Sequence, residues 1–199
     1  MGLQAVLSVA RHLLFFALVI VCVYTDLTRQ RLYNWCTLPA LAAGLLVNYA
    51  LGGLLEGGLL GVNLTSSMVG VLAAALVFAW PYLRGGIAGG DVKLMLAVAA
   101  IGGAQNLFIA YALLYSALIG GLMALLVLIW RGKLWEGLRG AVRFTFSTGR
   151  VRSGEGAASP STSGVAVPYG FAISIGSVIA WYITVLPRVG TAIGLITAP

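Results

Sequence analysis

Apolar residues in this chain come in long runs, separated by short polar gaps in which arginine and glycine recur. A helix needs roughly 20 residues to cross the ~30 Å of hydrocarbon in a bilayer. Runs over residues 3–24, 35–54 and 64–83 each reach that length. The gap over 26–34 carries Arg29 and Arg31, and the gap over 84–91 is broken up by Gly85, Gly86, Gly89 and Gly90. From Val92 the apolar run continues to Trp130. As a single helix it would be about 58 Å long, too long for a bilayer. Gly102-Gly103 divides it, which predicts a short fourth span over 92–101 and a longer fifth over 106–130. Residues 131–167 form the only sizeable polar segment, and a sixth span is expected over 168–186. The pattern therefore predicts an all-α membrane protein, a polytopic bundle of about six transmembrane helices. It forms one membrane-embedded domain over 1–199, with 131–167 as a basic loop. No small-x-small cleavage pattern follows the first run, so that run reads as a retained span.

Composition sharpens this picture. Of 199 residues, 60% are apolar and 9% are charged, where an average soluble domain carries roughly a quarter charged residues. That excludes a soluble enzyme and a disordered chain. Cys22 and Cys36 form neither a disulfide framework nor a metal-type spacing. The 27 glycines suit close helix packing in lipid. A net charge of +7 could suggest a nucleic-acid partner, but its distribution argues against one. Arg29, Arg31, Arg84, Lys93, Arg131, Lys133, Arg139, Arg143, Arg150 and Arg152 all fall at the gaps after spans one, three and five. By the positive-inside rule those gaps are cytoplasmic and both termini lie outside a plasma (inner) membrane.

Only five acids are present, and three of them, Glu56, Glu136 and Glu155, fall in connecting segments. Asp26 and Asp91 instead fall at the cytoplasmic boundary of apolar spans, where an ionisable group is costly and so a functional candidate. Two carboxylates at one depth are the minimum apparatus for aspartyl proteolysis: one takes a proton from water while its protonated partner polarises the scissile carbonyl. The plainer reading is that each serves a helix end, Asp91 suiting an N-terminus through the dipole. Gly89 and Gly90 before Asp91 permit positive φ and a close backbone approach, so an extended substrate could lie beside the carboxylate. They also suit a tight turn. Lys93 is about 200° round a helix from Asp91 and is expected to meet head groups or another helix. The sole histidine, His12, lies near the opposite face, which excludes a Ser-His-Asp or Cys-His arrangement with either aspartate. Arg11 and His12 within span one are expected to snorkel or pack inside. Placing Asp91 beside glycine amides and Asp26 at a helix C-terminus makes Asp91 the expected ionised base and Asp26 its protonated partner. Arg29 and Arg31 would reverse this assignment by stabilising an ionised Asp26, above all if the helix continues past it.

The stretch Asp26-Leu27-Thr28-Arg29-Gln30-Arg31-Leu32-Tyr33-Asn34-Trp35 resembles the first-aspartate motif of type IV prepilin peptidases, which are GxGD-type membrane aspartyl proteases. Gly85-Gly86-Ile87-Ala88-Gly89-Gly90-Asp91-Val92-Lys93-Leu94-Met95 resembles their second motif, and Val167-Pro168-Tyr169-Gly170 the Pro-Tyr-Gly that opens their last span. Two positions depart: Tyr33 stands for the usual Pro, and Ala88 for the first Gly of Gly-x-Gly-Asp. The cytoplasmic Cys-x-x-Cys domain of large members is absent, so the chain resembles the short, peptidase-only form found with tight-adherence (Flp) pili.

The resemblance implies a hydrolase of pilus biogenesis: an aspartic endopeptidase that removes the basic leader of prepilins, with Asp26 and Asp91 as catalytic residues. It implies no cofactor, and a single-span substrate entering laterally from membrane lipid. Archaeal preflagellin peptidases are a close variant. A non-catalytic membrane subunit or small transporter is the alternative from another class. Residues 134–146 mix Leu138, Val142, Phe144 and Phe146 with Arg139 and Arg143, which suits either an interfacial helix or plain positive-inside charge. Residues 154–164 are expected to be a tether.

Overall fold

The computed structural model describes residues 3–29, 31–55, 62–132, 134–135, 139 and 169–186. The expected interfacial segment over 134–146 lies outside these but for residues 134, 135 and 139, and the expected tether lies wholly outside.

The described residues are helical with no strand, and the runs read from the sequence become α1 (Leu3–Arg29), α2 (Asn34–Gly52), α3 (Leu64–Leu83), α4 (Gly89–Gly102), α5 (Phe108–Trp130) and α6 (Tyr169–Thr184). A 3-10 turn, Gln105–Leu107, precedes α5. Four helices, α1, α2, α3 and α5 with its leading turn, are long and apolar enough to cross a membrane by themselves. This is the pattern of a helical membrane protein: Leu13, Ile20, Leu46, Leu72, Leu76, Leu118 and Leu122 face outward, while alanines and serines share the interior with Phe15, Phe108 and Trp181.

The other two helices are short for different reasons than the four are long. At 14 residues, α4 spans only about 21 Å, less than the hydrocarbon thickness. It has no need to reach both interfaces, because it lies in the middle of the bundle against α2 and α3, with α1, α5 and α6 also touching it. From Ala97 to Gly102 every residue is buried. Close packing follows from side-chain size. A Cβ on Gly44 of α2 would sit 2.7 Å from Ile101 Cγ1, and one on Gly70 of α3 would sit 3.0 Å from the Gly103 carbonyl carbon.

Buried polar groups tie the helices at the end of the bundle away from Asp26. The Asn48 amide of α2 donates to the Ala100 and Ile101 carbonyls at 2.9 and 3.0 Å and lies 2.7 Å from the Ser67 hydroxyl of α3. Past the end of α4, the Ala104 N–H donates to the Ser66 carbonyl at 2.9 Å. Such contacts leave few helix-end groups without partners where lipid could supply none.

Arg11 and His12 pack inside. Trp181 of α6 is the hub, stacked on Phe15 at 4.1 Å and edge-on to Phe108 and His12. The Arg11 guanidinium lies 5.0 Å from the Trp181 ring centroid, is fully buried, and has no hydrogen-bond acceptor on any of its three nitrogens. A cation over an indole face is attractive but does not replace lost hydration. Arg11→Met is therefore expected to stabilise the bundle by about 1–4 kcal/mol, the range seen when buried charge gives way to apolar side chains of similar volume. A thermal melt in detergent checks this, and a lowered midpoint would refute it.

Candidate active site

Asp26 lies one helical turn further into α1 than the sequence pattern places it. The apolar run stops near Tyr24, but the helix continues to Arg29. The hydroxyls of Thr25 and Thr28 fold back onto the carbonyls of Cys22 and Tyr24 at 3.2 and 2.6 Å, so these polar residues extend the helix without lipid-facing donors. Asp26 is thus inside the last turn, 6% exposed, rather than beyond it.

Asp91 is reached through a sharp reversal after α3. Gly85 takes positive φ, +74°, while Gly85 and Gly86 N–H groups close on the Tyr82 and Pro81 carbonyls at 2.9 and 2.8 Å. Ala88 then caps α4 in an extended conformation, φ −72° and ψ 145°, which any residue adopts. Ala in place of the family's Gly is unstrained there. Tyr33, where the family carries Pro, is likewise extended as the N-cap of α2, at φ −88° and ψ 136°. Asp91 is the third residue of α4, the position from which a carboxylate faces the first amides of its own helix.

The expected role of Gly89 and Gly90 divides. Both are in the first turn of α4, and neither has positive φ, which falls to Gly85 instead. Gly90 serves the close approach: a Cβ there would sit 3.0 Å from Leu32 Cβ. At Gly89 the nearest atom to an added Cβ is the Tyr82 ring at 3.5 Å, an ordinary contact. Leu32, from the α1–α2 connection, also reaches 3.1 Å from where a Cβ on Gly170 would stand. It is a wedge between the heads of α4 and α6, and composition gave no sign of it.

These elements bring Asp26 and Asp91 together at one end of the bundle, within electrostatic reach of each other, with Tyr169 of α6 within reach of Asp91. Nearby cations are engaged elsewhere. Lys93 Nζ donates to Asn34 Oδ1 at 2.8 Å, joining the two aspartate segments, and Arg29 donates to the Tyr33 hydroxyl at 3.3 Å. Two carboxylates at close quarters resist ionising together, the arrangement in which a carboxyl pair can share one proton.

A third partner was missed from sequence. The backbone N–H of Phe171 donates to Asp26 Oδ2 at 2.8 Å, and the neighbouring Gly170 lies against the same carboxylate. Asp26 thus has an amide donor of its own, supplied by a second helix. His12 lies fourteen residues before Asp26 on α1, about 21 Å along the helix. Among the described residues no group of three or more metal-ligating side chains forms.

The family model for the type IV leader peptidase family matches residues 13–125 of the chain, a stretch that holds both aspartates, Leu32 and the glycines of the α3–α4 reversal. No curated protein and no solved structure matches it.

Proposed function

This chain belongs to the type IV leader peptidase family, and from that premise we propose that it is an aspartic endopeptidase of prepilin leaders whose catalytic pair is Asp26 and Asp91. The observation that carries the proposal is the meeting of two buried carboxylates from α1 and α4 at one end of an apolar bundle. Family membership supplies the peptidase, and the two carboxylates supply a mechanism.

In that mechanism the ionised carboxylate takes a proton from a water molecule as its oxygen bonds to the scissile carbonyl carbon. The carbonyl oxygen receives the proton held by the partner carboxyl, giving a neutral gem-diol. The carbonyl then reforms: the C–N bond breaks, and the nitrogen leaves with the proton taken from water. The gem-diol returns the other proton to the partner, so the pair ends as it began. Gly90 and Leu32 shape the backbone beside Asp91, and we assign this edge, with Gly89, to the extended substrate.

The substrate we propose is a single-span prepilin or prepilin-like protein of the type IV or Flp class, arriving laterally through lipid and cut on the cytoplasmic side of the plasma membrane. The support is the charge distribution: the gaps that carry Arg29, Arg31, Arg84 and Arg131 adjoin the ends of α1, α3 and α5 on the aspartate side. A transport path would want free polar groups at mid-depth. Ser116 and Ser177 there donate to the Ile173 carbonyl, at 3.4 and 2.7 Å, and Ser174 Oγ has no partner among the described residues. Both aspartates, however, lie at one end of the bundle, which favours the peptidase reading.

Co-expression with a type IV or Flp-type prepilin tests this. A shortened pilin with a new N-terminus, read by Edman sequencing, is expected. Unprocessed pilins of both classes would sink the proposal.

A further inference from the structure

We propose that the head of α6 positions Asp26 as the ionised base of the pair, through the N–H group of Phe171 and the space left by Gly170, and so leaves the shared proton on Asp91. The proposal rests on the aspartyl reading above. Its ground is geometric. Tyr169, Gly170 and Phe171 are the first turn of α6, whose N–H groups have no partners within the helix. The Phe171 N–H is filled by Asp26 Oδ2 at 2.8 Å, across 145 residues of sequence.

The residue beside it is cut to fit. A Cβ at Gly170 would stand 2.9 Å from Asp26 Oδ2 and 3.1 Å from its carboxyl carbon. Any larger residue must therefore push the carboxylate off the amide. Gly170 is fully helical, with no positive φ to explain its presence. Its smallness is explained by the carboxylate.

The titratable groups around Asp26 are Asp91 of α4, Tyr169 of α6 at Asp91, and Cys22 of its own helix, against which Cys36 of α2 packs. None is cationic. Lys93 of α4 and Arg29 of α1 direct their charged ends to the neutral Asn34 and Tyr33, and neither forms an ion pair with Asp26. The positive end that favours an ionised Asp26 is therefore backbone, and a hydrogen bond to a charged group is the stronger kind. Asp91 has the first turn of its own helix, α4, whereas Asp26 accepts a hydrogen bond from a second helix. The two carboxyls thereby take different roles: Asp26 accepts the proton from water, and Asp91 donates to the scissile carbonyl.

The test replaces the N–H and leaves the carboxyl in place. Phe171→Pro removes the donor at the third helical position, where proline is tolerated and the preceding glycine has no Cβ to clash. Phe171→Ala keeps the donor and removes the ring. Gly170→Ala, which favours a helix, keeps the Phe171 amide and displaces the carboxylate. The acid limb of the pH–rate profile is expected to move up by about one unit or more in Phe171→Pro and Gly170→Ala. In Phe171→Ala it should stay at the wild-type position, whatever the lost ring does to the rate. Should Phe171→Pro fail to fold, Gly170→Ala carries the same expectation.

An infrared titration of the Asp26 carboxylate band, assigned by its loss in Asp26→Asn, gives the same comparison without turnover. Its midpoint should move up with the acid limb. Midpoints that coincide in all variants would overturn the positioning role even if wild type cleaves pilin. A wild type that cleaves nothing yet shows the infrared shift would overturn the peptidase reading alone.

Discussion

Asp26→Asn and Asp91→Asn are each expected to abolish prepilin cleavage, with a fall of at least roughly 10³-fold, while the protein remains in the membrane. Asn keeps the shape of the side chain and its place against Phe171 or the first turn of α4, so the loss reports chemistry. The double variant should be no worse than either single one, because two groups that act as a unit are not additive. Wild-type activity should be bell-shaped in pH. The acid limb is the protonation of the base, and the alkaline limb is the loss of the one shared proton; both constants belong to the pair. Cleavage assays on purified protein with a prepilin peptide check both points. Near-normal cleavage by either single variant, or a rate flat well into the alkaline range, would remove the two-carboxylate mechanism.

The helices were legible because lipid makes a run of twenty apolar residues a strong signal, and the glycine pair at Gly102-Gly103 marked the end of α4 to within a residue. The end of α1 was not. Thr25, Asp26 and Thr28 read as a polar gap, and only their hydroxyl bonds to helix carbonyls show that the helix runs on. The two aspartates were legible by elimination, since so few acids interrupt apolar sequence. What surrounds them was less so. Four glycines lie between Arg84 and Asp91, and nothing in their order says that Gly85 takes positive φ while Gly90 yields space to Leu32. The amide at Asp26 was invisible for a deeper reason: every residue except proline has a backbone N–H, so no residue type marks the one that donates. Tyr169-Gly170 could be noticed only as part of a motif resemblance, and its physical sense came from the 2.9 Å between a Gly170 Cβ and Asp26 Oδ2.

Gly176→Ala is expected to be among the most damaging single methyls in the bundle, because it strikes the packing that places α6. Helices α5 and α6 pack together more extensively than any other pair. At their crossing, a Cβ on Gly176 would sit 2.4 Å from the Ser116 backbone nitrogen and 2.7 Å from its Cα. Backbone cannot rotate out of the way as a side chain can, so the helices must part. Overpacking of a well-filled core costs about 1–3 kcal/mol, and the upper end applies where backbone is the obstacle. Two neighbouring glycines on α5 set the scale. A Cβ on Gly120 would meet the edge of the Tyr169 ring at 2.6 Å, and one on Gly121 would meet nothing within 4 Å. Thermal midpoints in detergent should therefore fall in the order Gly121→Ala, Gly120→Ala, Gly176→Ala. Gly121→Ala should lie at or above wild type, since alanine is the better helix former by up to about 1 kcal/mol. Cleavage rates should follow the same order, because a displaced α6 carries the Phe171 N–H away from Asp26 five residues along the helix. If Gly176→Ala melts and cleaves like Gly121→Ala, α6 does not sit against Ser116 as described, and the link from helix packing to the aspartate pair breaks with it.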